Sequence, residues 1–202
     1  RSRLSFNICS PVEYQTKRGL NRATDIKRQP GSAIKPIAVY APALEQGFSP
    51  SSVVDDVPTT FGSASKPYRP TNYDGKYRGL ITMREAVQYS VNVPAVKFLS
   101  TIGISEGFNF AKKLGLPLDD KNDKNLSLAL GGLTHGVSPL NLAAAYSAFA
   151  NQGVYIEPHV ITKIVDQNGN TIVDVTPKKT IAMKEQTAYL MTDMLKTVVN
   201  AG

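Results

Sequence analysis

Apolar residues recur at helical spacing in several stretches of the chain, and two β-branched runs near its end break that period. Between residues 32 and 44, Ile34, Ile37, Ala38, Ala41 and Leu44 share one helical face. Pro36 fits that helix only in its first turn, which sets the start near Ser32, and Pro42 predicts a kink or an early end. Residues 45–79, rich in Pro, Ser, Gly and Tyr, show no period and read as a long irregular segment that serves a functional surface. Thr82-Met83-Arg84-Glu85 has the capping-box pattern and opens a helix that stops at Ser90-Val91-Asn92. Pro94 opens the next helix, to Gly103, and Ser105 caps a further one to Leu114. Ser138-Pro139 places a cap before proline at the first helical position, so an alanine-rich helix runs to residue 150. The period then changes. Residues 159–165 and 171–175 are β-branched runs around Asn168-Gly169, a hairpin pattern. A last amphipathic helix covers about 184–199, with Tyr189, Leu190, Met194, Leu195 and Val198 apolar. Helices outnumber strands and the hairpin is antiparallel, which predicts an α+β class.

With 202 residues and 42% hydrophobic content, the chain has enough apolar surface for one domain, or most of one. One cysteine, Cys9, excludes a disulfide framework and a cysteine-rich zinc site. No apolar run approaches the roughly 18 residues of a membrane helix, and residues 1–10 lack a signal-peptide core. Any export signal or anchor is therefore expected outside this stretch. The net charge of +7 comes from scattered Lys and Arg with no basic stripe interleaved with aromatics, so no nucleic-acid partner is expected. His135 and His159 have no carboxylate or thiol at ligand spacing, and no metal or cofactor is expected. Asp55-Asp56 and Asp119-Asp120 read as solvated loops, and Tyr68, Tyr73 and Tyr77 beside Asn72 read as loop packing rather than a ligand groove. Gly-x-Ser-x-Gly, phosphate-loop and Gly-x-Gly-x-x-Gly strings are absent from the sequence.

Two constellations carry chemistry. In Ser32-Ala33-Ile34-Lys35 the serine and lysine lie i, i+3 on a helix start, so the amine stands beside the hydroxyl. A serine hydroxyl needs a base to take its proton, and Lys35 can serve only when neutral. Bringing a lysine pKa from about 10.4 to 7–8 costs roughly 4 kcal/mol, which requires burial or a cationic neighbour. The backbone N–H at Ser32 belongs to the unpaired donors of a helix start, which suit an oxyanion. Ser63-Ala64-Ser65-Lys66 repeats the pattern in the irregular segment and reads as a solvated loop. The second constellation is Ser90-Val91-Asn92, between two helices, where a hydroxyl and a carboxamide face one cleft; helix stop and start residues would read the same way. Ser5-Phe6-Asn7 also matches but precedes Ser32.

These strings resemble a family. Asn21-Arg22-Ala23-Thr24, with Arg28-Gln29-Pro30-Gly31-Ser32-Ala33-Ile34-Lys35-Pro36, is similar to the nucleophile region of penicillin-binding transpeptidases, whose Ser-x-x-Lys motif is well known. Ser90-Val91-Asn92-Val93-Pro94-Ala95 resembles their second motif. Gly131-Gly132, Ser138-Pro139-Leu140 and the run from Ala144 to Gly153, then Pro158, resemble the bifunctional class A members. The resemblance implies a serine β-lactamase/D,D-peptidase-like α+β fold, with a helical subdomain and an incomplete antiparallel sheet. It implies a D,D-transpeptidase that cross-links peptidoglycan stem peptides ending in D-Ala-D-Ala and is acylated by β-lactams. Ser32 would then be the nucleophile, Lys35 the base, Ser90 the proton relay and Asn92 the holder of a substrate amide. The family's third motif, Lys-Thr-Gly, is absent; Lys179-Thr180-Ile181 and Lys196-Thr197-Val198 are near misses without its glycine. Residues 1–202 therefore read as a fragment of one transpeptidase domain, completed by a C-terminal part and weakly active or inactive alone. Residues 1–20 are a divergent or displaced lead-in, since the family's strand with a Gly-Gly turn is not found there. The location implied is the extracytoplasmic face of a bacterial membrane. A D,D-carboxypeptidase, a β-lactamase-like hydrolase and a non-catalytic β-lactam- or peptidoglycan-binding module remain alternative readings.

Overall fold

The computed structural model describes residues 19–201; most of the lead-in over 1–20, with Ser5 and Asn7, lies outside the described residues. The helix expected from Ser32 is one rod wound three ways: a 3-10 turn Gly31–Ile34, a π turn Pro36–Tyr40, and α1 Ala41–Glu45. Pro36 and Pro42 each withhold a backbone N–H, and the rod changes winding instead of breaking. Its residues from Ile34 to Leu44 are buried, so the rod is the axis of the core rather than a surface helix.

Residues 45–79 are not irregular. They hold β1 Val53–Asp56, β2 Phe61–Ser63 and β3 Lys66–Tyr68, and β4 Gly79–Thr82 follows. β1 pairs antiparallel with β4 (Val53 opposite Thr82, Asp56 opposite Gly79), and β2 with β3. Strands of three or four residues separated by Pro and Gly are too short to show a period of two, which is why composition suggested a loop. The capping box at Thr82 forms: Glu85 N–H donates to Thr82 Oγ1 at 3.2 Å, and Thr82 N–H donates to Glu85 Oε2 at 2.7 Å. It opens α2 Met83–Gln88. Then come α3 Asn92–Ile102 and α4 Ile104–Lys113; Gly103, not Ser105, stands at the N-terminus of α4. Gly107 lets α4 lie on the rod, since a Cβ there would meet the Ala38 carbonyl oxygen at 2.3 Å. A second 3-10 turn, Leu126–Leu130, precedes α5 Pro139–Ala150, capped by Ser138 as expected.

β5 Val154–Ile156 pairs with β8 Lys179–Ile181, and between them β6 Lys163–Val165 and β7 Thr171–Asp174 form the expected hairpin. α6 Glu185–Ala201 closes the described chain and packs on α1, α2 and α5. The described strands make four two-stranded antiparallel pairs, in keeping with the α+β expectation. No helix among the described residues is long and apolar enough to cross a membrane.

Candidate active site

Ser32 lies in the 3-10 turn at the mouth of the buried rod, exposed, and its Oγ makes no hydrogen bond among the described residues. That turn is held by its backbone and its neighbours. Leu133 N–H donates to Gln29 Oε1 at 2.6 Å, and Gln29 Nε2 donates back to the Leu133 carbonyl. Arg28 and Val137 exchange backbone hydrogen bonds of 3.0 and 2.9 Å. The Tyr146 hydroxyl donates to the Ala33 carbonyl at 2.8 Å, and burial pushes that phenol up to about 12. Gly131, at φ +76°, lies so close to Gly31 that a Cβ there would fall 2.3 Å from the Gly31 oxygen and 2.5 Å from its nitrogen. The result is a rigid turn presenting a free hydroxyl.

Lys35 caps the same 3-10 turn, three residues after Ser32, and all its Nζ hydrogen bonds go to residues 90–92, none to Ser32 Oγ. Lys35 is 2% exposed. Its Nζ donates to the Ser90 carbonyl at 2.6 Å, Asn92 Oδ1 at 2.7 Å, Ser90 Oγ at 3.1 Å and the Val91 carbonyl at 3.4 Å. All four acceptors are neutral oxygens, and Lys35 forms no ion pair among the described residues. Nothing offsets the loss of hydration with a full negative charge, and burial lowers the lysine from 10.5 to about 8. Lys35, Ser90 and Asn92 are thus brought together across 57 residues of sequence.

Ser90 owes its place to the way α2 ends. Ser90 N–H donates to the Val87 carbonyl (3.1 Å) and Val91 N–H to the Ala86 carbonyl (3.0 Å), the paired bonds of a Schellman stop. The residue between them must be left-handed, a place usually taken by glycine. Here Ser90 takes it at φ +48°. A left-handed L-residue costs roughly 1–2 kcal/mol, so the site keeps a hydroxyl at a strained position. Asn92, in the first turn of α3, gives Oδ1 to Lys35, while its Nδ2 donates to the Thr71 carbonyl at 2.8 Å. One N–H of that amide remains for another acceptor.

Sequence reasoning missed two members of this neighbourhood. Asp56 is fully buried, not solvated, and Asn72 is 4% exposed. Asn72 Nδ2 donates to both Asp56 oxygens (2.9 and 3.0 Å) and to the Lys76 carbonyl (2.8 Å). Its Oδ1 accepts the backbone N–H groups of Asn92 (3.0 Å) and Val93 (3.2 Å). One signal pointed there: Val91 stands before α3 with no acceptor in its side chain, so the first N–H groups of that helix needed an oxygen from elsewhere.

The other sequence candidates stay apart from this cluster. Ser63 and Lys66 face each other across the β2–β3 hairpin, exposed. Lys179 to Ile181 form β8, while Lys196 and Thr197 lie within α6, where Thr197 accepts from Arg84. His135 sits 3.6 Å from Asp119, and no group of ligating side chains fit for a metal occurs among the described residues.

A family model described as the penicillin binding protein transpeptidase domain matches residues 9–202. Penicillin-binding protein 1F of Bacillus subtilis (strain 168) is 45% identical over 188 residues, which are 93% of this chain and 25% of that protein. Penicillin-binding protein 1A of Streptococcus oralis is 41% identical over 189 residues, 91% of this chain and 29% of that protein. The crystal structure of penicillin-binding protein 1A from Haemophilus influenzae superposes with a TM-score of 0.78 at 28% identity, over 90% of this chain and 31% of that one. The chain spans about a quarter of the length of the curated relatives it matches. Relatives named 1A and 1F agree with the class A resemblance read from the motifs. The chain therefore belongs to the penicillin-binding protein transpeptidase family, with its serine β-lactamase-like α+β fold.

Proposed function

We propose that this chain contributes the nucleophile, base and second motif of a serine D,D-transpeptidase that cross-links peptidoglycan stem peptides and is acylated by β-lactams. The observation that carries the reading is Lys35: buried, lowered to about 8 by desolvation, and bonded to Ser90 and Asn92 at the end of the turn that carries the exposed Ser32. In the neutral fraction, the Lys35 amine accepts the Ser32 proton as Oγ attacks the carbonyl of the D-Ala-D-Ala peptide bond. A tetrahedral oxyanion forms, to which the Ser32 N–H can donate. Its collapse breaks the C–N bond, and the leaving D-alanine amine takes a proton delivered from Lys35 through the Ser90 hydroxyl. The free N–H of the Asn92 amide donates to a carbonyl of the stem peptide. A second stem then supplies an amine that attacks the ester; its proton goes to the Lys35 amine, and as the C–Oγ bond breaks Lys35 returns a proton to Ser32 Oγ, restoring both groups.

The family match and the 1A and 1F relatives support this over a hydrolytic or purely binding role. Cross-linking places the protein at the extracytoplasmic face of a bacterial membrane. Mass spectrometry after benzylpenicillin treatment tests the reading. The full-length protein gains one stable penicilloyl adduct on the Ser32 peptide, and Ser32→Ala gains none. Labelling of Ser32→Ala at the unsubstituted rate would remove the nucleophile assignment. Rapid turnover of the adduct would instead identify a β-lactamase.

A further inference from the structure

We propose that Asn72, oriented by the buried carboxylate of Asp56, is a positioning residue that sets Asn92 and, through it, the amine of Lys35. The proposal rests on the acyl-transfer reading above. Its geometry is a chain of four groups from the core to the reacting end: Asp56 to Asn72, Asn72 to the Asn92 backbone, Asn92 Oδ1 to Lys35 Nζ. Each link has one possible direction. The Asn72 Nδ2 faces only acceptors, namely both Asp56 oxygens and the Lys76 carbonyl, and its Oδ1 faces only donors. The amide therefore cannot flip without setting donor against donor at α3 and acceptor against acceptor at Asp56.

Asp56 is itself held by the backbone N–H of Arg78 at 2.9 Å. Its position is set further by the β1–β4 ladder, where it stands opposite Gly79. Val91 offers no cap, so Asn72 caps α3 from twenty residues upstream of its first residue. The adjacent residue contributes as well: the Thr71 carbonyl holds the Asn92 Nδ2 at 2.8 Å, which leaves the second N–H pointing elsewhere. Residues 71 and 72 thus fix the backbone and the side chain of Asn92 at once. The turn they brace contains Ser90 at a left-handed angle, and such a turn needs outside support to hold its geometry.

The experiment measures acylation of the full-length protein by a fluorescent penicillin, resolving the limiting acylation rate from the concentration at half-saturation. Amide hydrogen exchange at Asn92 and Val93 is followed in the same samples, below the melting temperature. Asn72→Ala is expected to lower the limiting rate roughly tenfold to a hundredfold, as a misplacement of about 1 Å does, and to speed exchange at both amides. The half-saturating concentration should move far less, since Asn72 is 4% exposed and spends its amide on Asp56, Lys76 and α3. Asp56→Asn keeps the volume but presents an amide donor toward Asn72, and should act in the same direction more weakly. A merely structural role gives a lower melting temperature with an unchanged limiting rate, and that result overturns the proposal. So does unchanged exchange at Asn92 and Val93 in Asn72→Ala. The exchange measurement needs no acylation, so failure here is distinct from failure of the acyl-transfer reading, which Ser32→Ala judges.

Discussion

Lys35 and Lys66 each stand three residues after a serine, in regions built on opposite plans. Lys35 closes a 3-10 turn that runs into the core rod, and four oxygens from one turn, 55 to 57 residues later in sequence, surround its amine. Lys66 begins a three-residue strand on an exposed two-stranded hairpin, directly across from Ser63, and makes no side-chain hydrogen bond among the described residues. The Ser-x-x-Lys spacing is shared; the dehydrated amine and the rigid turn are not. A Ser-x-x-Lys string becomes a nucleophile–base pair where the surroundings strip water from the lysine and hold the serine's backbone.

The largest expected effect breaks the comparison at its centre. Lys35→Met should slow penicillin acylation of the full-length protein by about 10²–10⁴, the usual worth of a general base, whereas Lys66→Met leaves it unchanged. Equal loss from both would mean the buried amine is not the base. Next comes pH. Lys35 falls from 10.5 to about 8 on folding, so between those values the folded state binds fewer protons than the unfolded chain and stability rises with pH. Below pH 8 the charged amine is buried at its full cost, on the order of 3 kcal/mol. Acylation should climb with a midpoint near pH 8, and Lys35→Met should flatten the rise in denaturant stability between pH 8 and 10.5.

A third substitution tests the rigid turn against an exposed one. Gly131→Ala sets a Cβ against Gly31 backbone and should destabilise by about 2 kcal/mol or more, with acylation lost alongside. Gly169→Ala, on the open β6–β7 hairpin with nothing within 4 Å, carries only the left-handed cost of about 1 kcal/mol in chemical denaturation. The smallest effect is the most specific. Ser90→Gly relieves the strained stop of α2 and should raise stability by about 1 kcal/mol while lowering acylation, since the hydroxyl beside Lys35 is gone. A Ser90→Gly protein that is both more stable and fully active would deny Ser90 any part in the proton path.

Local patterns were legible wherever a helix had its cap within reach. Thr82 with Glu85 and Ser138 before Pro139 named their helices because donor and acceptor lie three residues apart. The β-branched runs around Asn168-Gly169 named a hairpin for the same reason. β1 to β4 were not legible, because strands of three or four residues carry almost no periodic signal, and β1 has its partner β4 more than twenty residues away. Asp56 was misread for a related reason. A pair of aspartates looks solvated until a buried amide and a backbone N–H supply its hydrogen bonds, and both lie 16 or more residues downstream. The winding of the rod also escaped notice: apolar spacing marked its buried face but could not distinguish 3-10, π and α turns.

From its residues alone this protein determined the nucleophile candidate, its lysine, the second motif, the family they resemble and the caps that start its helices. Those features depend on chemistry within a few residues. Which of two Ser-x-x-Lys strings holds a dehydrated amine, and which asparagine braces the turn opposite it, was decided by tertiary structure. Dehydration and hydrogen-bond satisfaction depend on what surrounds a group in three dimensions, and the oxygens around Lys35 lie half a hundred residues away in the chain.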